Sequence, residues 1–467
     1  MSDDAYPVKG KQNSDGIVIA EAVTRALVIL PDIRTPAFKA ALRDLDAGST
    51  NYTRTVTAKM EEAVGLALAI DLDVAETLIV SLNKIRPATL FGTGKVEEIK
   101  GLIAARDIYL VIIDHALNPI QQRNLERAWE CKVLDRTGLI LEIFSLRAQT
   151  REGRLQVQLA HLEYEKSRLV RSWTHLERQR GGLGTVGGPG ETQIESDRRQ
   201  IQERIIKIKK QLETVIRTRG LHRASRKKVP YPIVALVGYT NAGKSTLFNS
   251  LSGADVMTRD MLFATLDPTM REIKLKNGQR IIMSDTVGFI SELPTHLIAA
   301  FRATLEEVLD ADLIIHVRDI AIEETHAQAQ DVEQVLETLG IGVENNDRCL
   351  IEAWNKIDLV EGQIRDTMIE QSIRSENTVC VSAQSGEGMD ELIEMIDRQL
   401  SCQHTLKEIV FKVPDGKTLH WVYENCDVLE RCDHEDGSVE LNLRVPPEKM
   451  DMLERLLTQG QIETTGN

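Results

Sequence analysis

The sequence predicts an α/β protein in four parts: an N-terminal α/β domain, an antiparallel helical hairpin, an α/β domain with a doubly wound, mostly parallel sheet, and a small C-terminal α+β domain. Two observations support this class. Apolar runs alternate with helical patterns over residues 22–148 and again over residues 231–401, which is typical of parallel strands joined by crossover helices. Between them, two apolar seams recur with steps of three and four residues, as in paired helices.

The composition is that of a globular protein with buried cores. The chain has 467 residues, 42% apolar and 27% charged, and this length suggests two to four domains. No run of about 18 apolar residues occurs, and the acidic N-terminus does not resemble a secretory signal. The six cysteines form no CxxC pair, which favours free thiols in a reducing compartment. We expect a cytoplasmic protein with no integral membrane segment, and we take it to be a monomer.

The N-terminal domain is predicted to span residues 21–150, after a flexible polar tail at residues 1–20. Its apolar runs suggest a small, largely parallel sheet, and Asn118-Pro119 is a suitable start for one of its helices. The predicted elements are strands at 27–30, 108–114 and 132–134, and helices at 59–70 and 118–129.

The helical hairpin is predicted for residues 151–222, followed by a basic linker at 223–230. Residues 181–190 are too rich in glycine for a helix and form the exposed tip. This tip is longer than such a joint needs, and arginines flank it on both sides, so we interpret it as a contact for a partner. The seams consist of Leu155, Leu159, Leu162, Leu169, Trp173 and Leu176 on the first arm and Ile194, Ile201, Ile205, Ile208, Leu212 and Val215 on the second.

Charge is distributed unevenly along the chain. Residues 147–228 hold 20 Lys and Arg residues against 9 Asp and Glu residues, although the whole chain carries a net charge of −14. A basic segment in an acidic protein suggests one surface that meets a polyanion, while the acidic remainder argues against general binding to DNA.

The third domain, residues 231–401, contains a phosphate-binding loop that fits GxxxxGK[ST]. The loop follows the apolar strand 233–237 and opens a helix, which is the context this motif requires. Its glycines let successive backbone N–H groups face phosphates, and Lys244 places its charge on the β- and γ-phosphates. The Ser245 hydroxyl can ligate Mg²⁺. The loop comprises Gly238, Tyr239, Thr240, Asn241, Ala242, Gly243, Lys244 and Ser245.

Two further segments are expected around the phosphates and the metal. Asp285 can hold Mg²⁺ through a water molecule, and the Gly288 amide can sense the γ-phosphate. A switch loop is expected after the phosphate-loop helix, with Thr265 as the second protein ligand of Mg²⁺ and Thr269 as the alternative. We assign catalytic roles to Lys244, Thr265 and Gly288. The two segments are Asp285, Thr286, Val287 and Gly288, and Phe263, Ala264, Thr265, Leu266 and Asp267.

The base is expected to be guanine. The Asp358 carboxylate can accept both hydrogen bonds offered by guanine N1–H and its exocyclic amine, a donor pair that adenine lacks. The Lys356 stem can cover the base, and the loop after strand 378–381 offers a backbone amide to guanine O6. In their order and strand contexts, the motifs predict binding of GTP and GDP with Mg²⁺ as cofactor. The base-site residues are Asn355, Lys356, Ile357 and Asp358, and Ser382, Ala383 and Gln384.

Phe289 follows Gly288, at the position where a glutamine orients the attacking water in Ras-like switches. Phenylalanine cannot orient or polarise water. We therefore expect GTP hydrolysis to be slow in the isolated protein, with a partner completing the site.

The nucleotide motifs, together with three other strings, resemble the HflX family of translation-associated GTPases over nearly the whole chain. The strings are Phe91–Ile99, Asn118-Pro119 with residues 121–126, and Gly187–Glu195 beside the tip. The resemblance implies the same four domains, binding to rRNA and protein of the large ribosomal subunit, and hydrolysis stimulated by the ribosome. It further implies that the first domain and the hairpin reach toward the peptidyl-transferase region, and that the protein splits or rescues ribosomes under stress. The tip, residues 184–189, lacks the arginine of the commoner form.

The C-terminal domain is predicted for residues 402–467, with strands at 408–413 and 439–445 and helices at 419–425 and 447–457. Two functions remain open. The leading one is a ribosome-bound GTPase that remodels or recycles ribosomes. The alternative is a GTPase switch that regulates a protein partner without an RNA role. A membrane-associated regulator is a weaker third hypothesis, because no amphipathic basic anchor or lipidation motif occurs.

Overall fold

The computed structural model describes most of the chain, and several predicted features lie outside its described residues. These features are the tail at 1–20, the tip at 181–188, the linker end at 227–230, and the switch-loop residues Ala264 and Asp267. The described residues are 24–34, 54–179, 189–226, 231–253, 262–263, 265–266, 268–276, 278–291, 308–338, 340, 349–402, 405–411, 416–434, 437–445, 450, 452–456 and 462–464.

The N-terminal unit is a four-stranded sheet in the order β2-β1-β3-β4, and all its strand pairs are parallel. Its side chains alternate between two cores: Leu27 and Ile29 of β1 pack with α2 and α3, whereas Ala26 and Val28 pack with α1 and α4. The elements are β1 (Arg25–Ile33), α1 (Val56–Leu68), β2 (Asp73–Leu82), α2 (Thr93–Arg106), β3 (Leu110–Ile113), α3 (Pro119–Trp129), β4 (Lys132–Asp135) and α4 (Arg136–Arg147).

The hairpin consists of α5 (Arg151–Gln179) and α6 (Pro189–Arg226), which pack against each other. The arms are antiparallel, because Lys166 Nζ donates to Gln202 Oε1 while Glu163, earlier on α5, pairs with Lys209, later on α6. Ile205 and Leu212 of the predicted seam are buried.

On α5 the burial differs from the predicted seam. Val157 and Ala160 are buried, whereas the predicted Leu155 and Leu159 are only half-buried. The reason is that the start of α5 also packs on α4 and α3, so one of its faces belongs to the core of the N-terminal unit.

The third part is a six-stranded sheet in the order β10-β9-β8-β5-β7-β6, parallel except for the β6–β7 hairpin. Helices cover both faces: α7 and α10 pack on one face, and α8 packs on the other. This is the predicted doubly wound arrangement. Its elements are β5 (Ile233–Gly238), α7 (Lys244–Ser252), β6 (Thr269–Lys274), β7 (Arg280–Asp285), β8 (Leu313–Asp319), α8 (Thr325–Thr338), β9 (Cys349–Asn355), α9 (Gly362–Arg374), β10 (Thr378–Cys380) and α10 (Met389–Cys402).

The C-terminal part is an antiparallel sheet in the order β12-β13-β11-β14, whose core includes Phe411, Val422 and Leu441. The sheet is the expected α+β module, with two more strands, β12 and β14, than the sequence predicted. The elements are β11 (Thr405–Phe411), α11 (Gly416–Asn425), β12 (Asp427–Asp433), β13 (Val439–Val445) and β14 (Ile462–Thr464). No helix in the described part of the chain has the length and apolarity of a membrane span.

A buried histidine lies on β8 of the third sheet. His316 is 2% exposed, and its neighbour Arg318 donates to Glu352 Oε2 at 2.8 Å. Burial lowers the pKa of His316 to about 4; Arg318 and Lys244 add to this effect, and Glu352 opposes it. The imidazole is therefore neutral in the folded protein at pH values where an unfolded chain protonates it.

Acidification from pH 7 to pH 5 is expected to destabilise the fold through His316. The unfolded imidazole takes up a proton below its ordinary pKa of about 6.5, whereas the buried one resists until about pH 4. Stability is therefore lost as the pH falls between these values, by about 2 kcal/mol at pH 5. Urea unfolding at both pH values checks this. A His316→Gln variant should lose about 2 kcal/mol less than the wild type. A His420→Gln variant, exposed on α11, should behave like the wild type. Equal acid sensitivity in all three proteins would contradict the assignment.

Candidate functional site

The phosphate loop joins the C-terminal end of β5 to α7, and its backbone requires two glycines. Gly238 and Gly243 have φ angles of +151° and +90°, which L side chains rarely adopt. A Cβ on Gly243 would overlap the side-chain amide of Asn355, and one on Gly238 would overlap the carbonyl of Val317. The neighbouring strands therefore leave room only for glycine, and the loop closes around the N-terminus of α7.

Three predicted metal ligands lie together beside this loop. Ser245 Oγ donates to Asp285 Oδ2 at 2.7 Å, Thr265 Oγ1 donates to the same oxygen at 3.0 Å, and the two hydroxyl oxygens are 2.9 Å apart. Burial raises the pKa of Asp285, while the Ser245 hydroxyl and the Lys244 charge oppose this. Hydroxyl and carboxylate oxygens are the donors that Mg²⁺ prefers, so these residues fit that ion. Thr269, the alternative ligand, instead pairs with Asp285 across the β6–β7 ladder.

Lys244 lies directly beside Gly288. Lys244 Nζ is buried and donates to the Tyr239 carbonyl at 2.7 Å. Burial lowers the pKa of Lys244 to about 8, and the charge of Asp285 opposes this shift. A Cβ on Gly288 would lie 2.9 Å from Lys244 Nζ and would crowd Thr240. A side chain at position 288 is therefore excluded, because Lys244 and Thr240 already occupy the space beside Gly288.

The segment after Asp285 is hydrogen-bonded to the phosphate loop. Phe289 N–H donates to the Gly238 carbonyl at 3.1 Å, and Thr240 N–H donates to the Phe289 carbonyl at 2.7 Å. The Phe289 ring is 3% exposed and packs in the core shared with the N-terminal unit. Of the other predicted residues here, Thr286 donates its hydroxyl to the Leu236 carbonyl, and Val287 is buried.

Asn355 connects the phosphate loop to the base loop. Its Nδ2 donates to the Ala242 carbonyl at 2.8 Å, and its Oδ1 accepts from the Ala383 N–H at 3.0 Å. Asn355 is buried, so both bonds are shielded from water. One side chain therefore sets the spacing between the part of the site predicted for phosphates and the part predicted for the base.

The predicted base residues surround the end of β9. Asp358 is exposed in a short 3₁₀ turn, and Lys356, in the left-handed region with φ +68°, extends its Nζ to Asp319 Oδ2 at 2.7 Å. Ser382 Oγ accepts from the Ser385 N–H at 3.0 Å, which shapes the loop beyond β10. The remaining predicted residues, Ile357 and Gln384, are buried and exposed, respectively.

Asp319 was not predicted as a site residue. Its signal was available in the sequence, because an acidic residue at the carboxyl end of a buried strand lies at the edge where α/β sheets bind ligands.

Three residues predicted at the nucleotide point their side chains toward the N-terminal unit. The Tyr239 hydroxyl donates to Glu62, the Phe263 ring packs edge-to-face on Phe144 at 4.7 Å between ring centroids, and Leu266 is buried in the same core. Their side chains therefore serve the contact between the two sheets, and only their backbone remains to face a nucleotide.

Family models match four consecutive segments: GTP-binding GTPase N-terminal at 57–145, GTP-binding GTPase middle region at 147–226, 50S ribosome-binding GTPase at 233–356 and the HflX C-terminal domain at 367–466.

Similar proteins cover most of the chain. GTPase HflX of Magnetococcus marinus is 49% identical over 407 residues, 87% of this chain and 91% of that protein. GTPase HflX of Escherichia coli is 42% identical over 390 residues, 83% and 89% of the two chains. The solved structure of SsGBP with GDP is 25% identical, with a TM-score of 0.45 over 80% of this chain and 98% of that one. From the family models and the relatives, the chain belongs to the HflX family and is a GTP-hydrolysing enzyme.

Proposed function

We propose that this GTPase acts on the large ribosomal subunit, with the helical hairpin as its rRNA contact. The positive charge of the hairpin carries the proposal, since the remainder of the chain is acidic. An exposed basic helix suits the phosphate backbone of RNA, which is recognised by charge and shape. The exposed cations of α6 include Arg198, Arg199, Arg204, Lys207, Lys210 and Arg217.

In the proposed reaction, the phosphate-loop amides hold the α- and β-phosphates, and Lys244 adds its charge to the β- and γ-phosphates. Ser245 and Thr265 would hold Mg²⁺ directly and Asp285 through water; bound there, the ion would supply positive charge that neutralises the phosphates. The Gly288 N–H contacts the γ-phosphate.

Base recognition is proposed for the loops after β9 and β10. Asp358 accepts from guanine N1–H and the exocyclic amine, the Lys356 stem covers the ring, and the Ala383 N–H donates to guanine O6. In the structure the Ala383 N–H donates to Asn355 Oδ1. It can therefore donate to guanine O6 only by sharing its hydrogen between the two oxygens or by giving up the bond to Asn355.

Hydrolysis is proposed to be slow until the ribosome completes the site. The buried Phe289 ring cannot polarise an attacking water.

We assign residues 21–150, 151–222, 231–401 and 402–467 to four domains, of which the first two reach toward the peptidyl-transferase region. The outcome of the cycle is ribosome splitting or rescue in the cytoplasm.

GTP turnover and co-sedimentation with large ribosomal subunits test the proposal. We expect subunits to raise turnover at least about a hundredfold, as for partner-completed GTPase sites. A non-hydrolysable GTP analogue should retain the protein on the subunit better than GDP does. Equal recovery with both nucleotides, or no recovery, would contradict the proposal.

Charge reversal on α6 separates the rRNA contact from the alternative of a protein partner. Arg198→Glu with Arg199→Glu should weaken subunit binding about tenfold or more and flatten its salt dependence, because two phosphate contacts are lost. Reversal of the exposed Arg374 and Arg280, on α9 and β7, is the matched control and should change little. Unchanged binding of the α6 variant would favour a protein partner.

A further inference from the structure

A buried cluster of charged and hydroxyl groups joins the N-terminal unit to the GTPase site. We call it the interface cluster. Its N-terminal members lie on or beside three different elements, and its GTPase members lie in the phosphate loop and in the segment after Phe289. The interface cluster consists of Arg54, Glu62, Asp114 and Arg136 on one side and Tyr239 and Ser291 on the other.

Glu62, on α1, is the centre of the interface cluster. Its Oε1 accepts from Arg136 Nη2 at 2.5 Å and from Ser291 Oγ at 2.8 Å. Its Oε2 accepts from Arg54 Nη1 at 2.7 Å and from the Tyr239 hydroxyl. Burial opposes ionisation of Glu62, but the charges of Arg136 and Arg54 outweigh it and hold the pKa of Glu62 below its usual range. The carboxylate is therefore ionised at neutral pH, and each of its oxygens has two donors.

The two arginines complete the cluster. Arg136 also donates to Asp114 Oδ1 at 2.5 Å and to the Ser291 carbonyl at 2.8 Å. The Arg54 guanidinium lies 5.4 Å from the centre of the Tyr239 ring. Two cations therefore face the carboxylates of Glu62 and Asp114, so the buried charges balance.

The interface cluster reaches the nucleotide site along two short paths. The Tyr239 carbonyl accepts from Lys244, and the Tyr239 hydroxyl accepts from the Ser291 N–H at 2.7 Å. Ser291 follows Gly288 by three residues, and Phe289, between them, is paired with the phosphate loop. One carboxylate in the N-terminal unit therefore holds both the phosphate loop and the segment that carries Gly288.

The switch loop contacts the same unit. Phe263 packs on Phe144 of α4, and Leu262 lies close to Gly65 of α1. Thr265, the proposed Mg²⁺ ligand, lies two residues beyond Phe263. Both segments predicted to respond to the γ-phosphate are thus packed on the N-terminal unit.

Stability alone does not account for the interface cluster. A buried ion pair adds little net stability compared with apolar residues of similar volume, and an apolar core already joins the two sheets here. What distinguishes the interface cluster is the geometry of its hydrogen bonds. Four donors converge on the Glu62 carboxylate, and these bonds fix the position of Tyr239 relative to Ser291. We propose that Glu62 is a positioning residue for GTP hydrolysis. Through Tyr239 and Ser291 it holds Gly288 in register with the phosphate loop, an inference that rests on the proposed contact between Gly288 and the γ-phosphate.

Tyr239→Phe in the full-length chain tests this with the loss of one hydroxyl. The kcat for GTP hydrolysis should fall about tenfold, the effect of losing a hydrogen bond to a charged group. The Kd for GDP should stay within about threefold, since GDP has no γ-phosphate to meet Gly288 and the loop backbone is unchanged. Turnover kinetics and calorimetry with Mg²⁺ and GDP measure the two quantities.

Glu62→Gln should lower kcat at least as much, and the loss in the double variant should be smaller than the product of the two single losses, because both variants disrupt the hydrogen bond between Tyr239 and Glu62. Additive losses would overturn the shared path. If Glu62→Gln does not fold, the tyrosine comparison decides the question alone.

Tyr164→Phe is the matched control. The Tyr164 hydroxyl donates to Asp135 at 2.5 Å, with the guanidinium of Arg168 4.3 Å from its ring centre, but these three residues lie in the N-terminal unit and hairpin. Tyr164→Phe should lose about as much thermal stability as Tyr239→Phe does, and it should keep the wild-type kcat. Unchanged kcat in Tyr239→Phe, or an equal loss in Tyr164→Phe, would overturn the proposal.

Discussion

A Lys244→Ala variant is expected to bind GTP and GDP at least a hundredfold more weakly than the wild type, which corresponds to about 3 kcal/mol. The Lys244 ammonium is proposed to be the one point charge that the phosphate loop places on the β- and γ-phosphates, so its loss should remove charge-assisted hydrogen bonds in a buried site. The free protein should remain folded, because burial already disfavours this charge and lowers the pKa of Lys244 to about 8.

Calorimetry with Mg²⁺ and each nucleotide measures this effect, and circular dichroism checks the fold. Lys276→Ala is the control, since Lys276 is an exposed lysine of the same domain that pairs with Asp390. Affinity of the Lys244 variant within threefold of the wild type would mean that the loop holds the phosphates by its backbone alone.

An Asp358→Asn variant is expected to lose about a hundredfold in its preference for GTP over ATP. The carboxylate is proposed to accept two hydrogen bonds from guanine, and the amide that replaces it offers one acceptor and a donor that faces another donor. Asp358 is exposed in a short turn, so the substitution should leave stability unchanged. Competition binding with both triphosphates measures the ratio, and Glu361→Gln, an exposed neighbour, is the control. An unchanged ratio would exclude base recognition by Asp358.

Local signals explain why much of the fold was predictable. The helix from Pro119 to Trp129 was predicted to within one residue of its observed bounds, because Asn118-Pro119 marks its start in the sequence, and in the structure Asn118 caps it together with Gln121. In contrast, β2 is an edge strand with four of its ten residues exposed, and α2 buries only Val96, Ile99 and Ile103. Both elements lack a strong period, so the sequence alone did not predict them.

The candidate site also has a part that the sequence predicts and a part that it does not. Its motifs were predictable because each is a short string at the end of a strand, and Ser245, Thr265 and Asp285 come together as the fold requires. The interface cluster was not predictable, since Glu62 lies 177 residues from Tyr239 and 229 from Ser291. A single glutamate on a helix is indistinguishable from a solvent-exposed one until the two sheets are packed.

The side chain of Asn355 has a consequence for how a bound nucleotide leaves. The Asn355 side-chain amide binds both the Ala242 carbonyl and the Ala383 N–H. A partner that displaces the loop after β10 would therefore also displace the turn proposed to hold the phosphates. The base and the phosphates of the nucleotide should therefore be released in one concerted step. A partner that contacts only one edge of the protein would be sufficient to release the nucleotide.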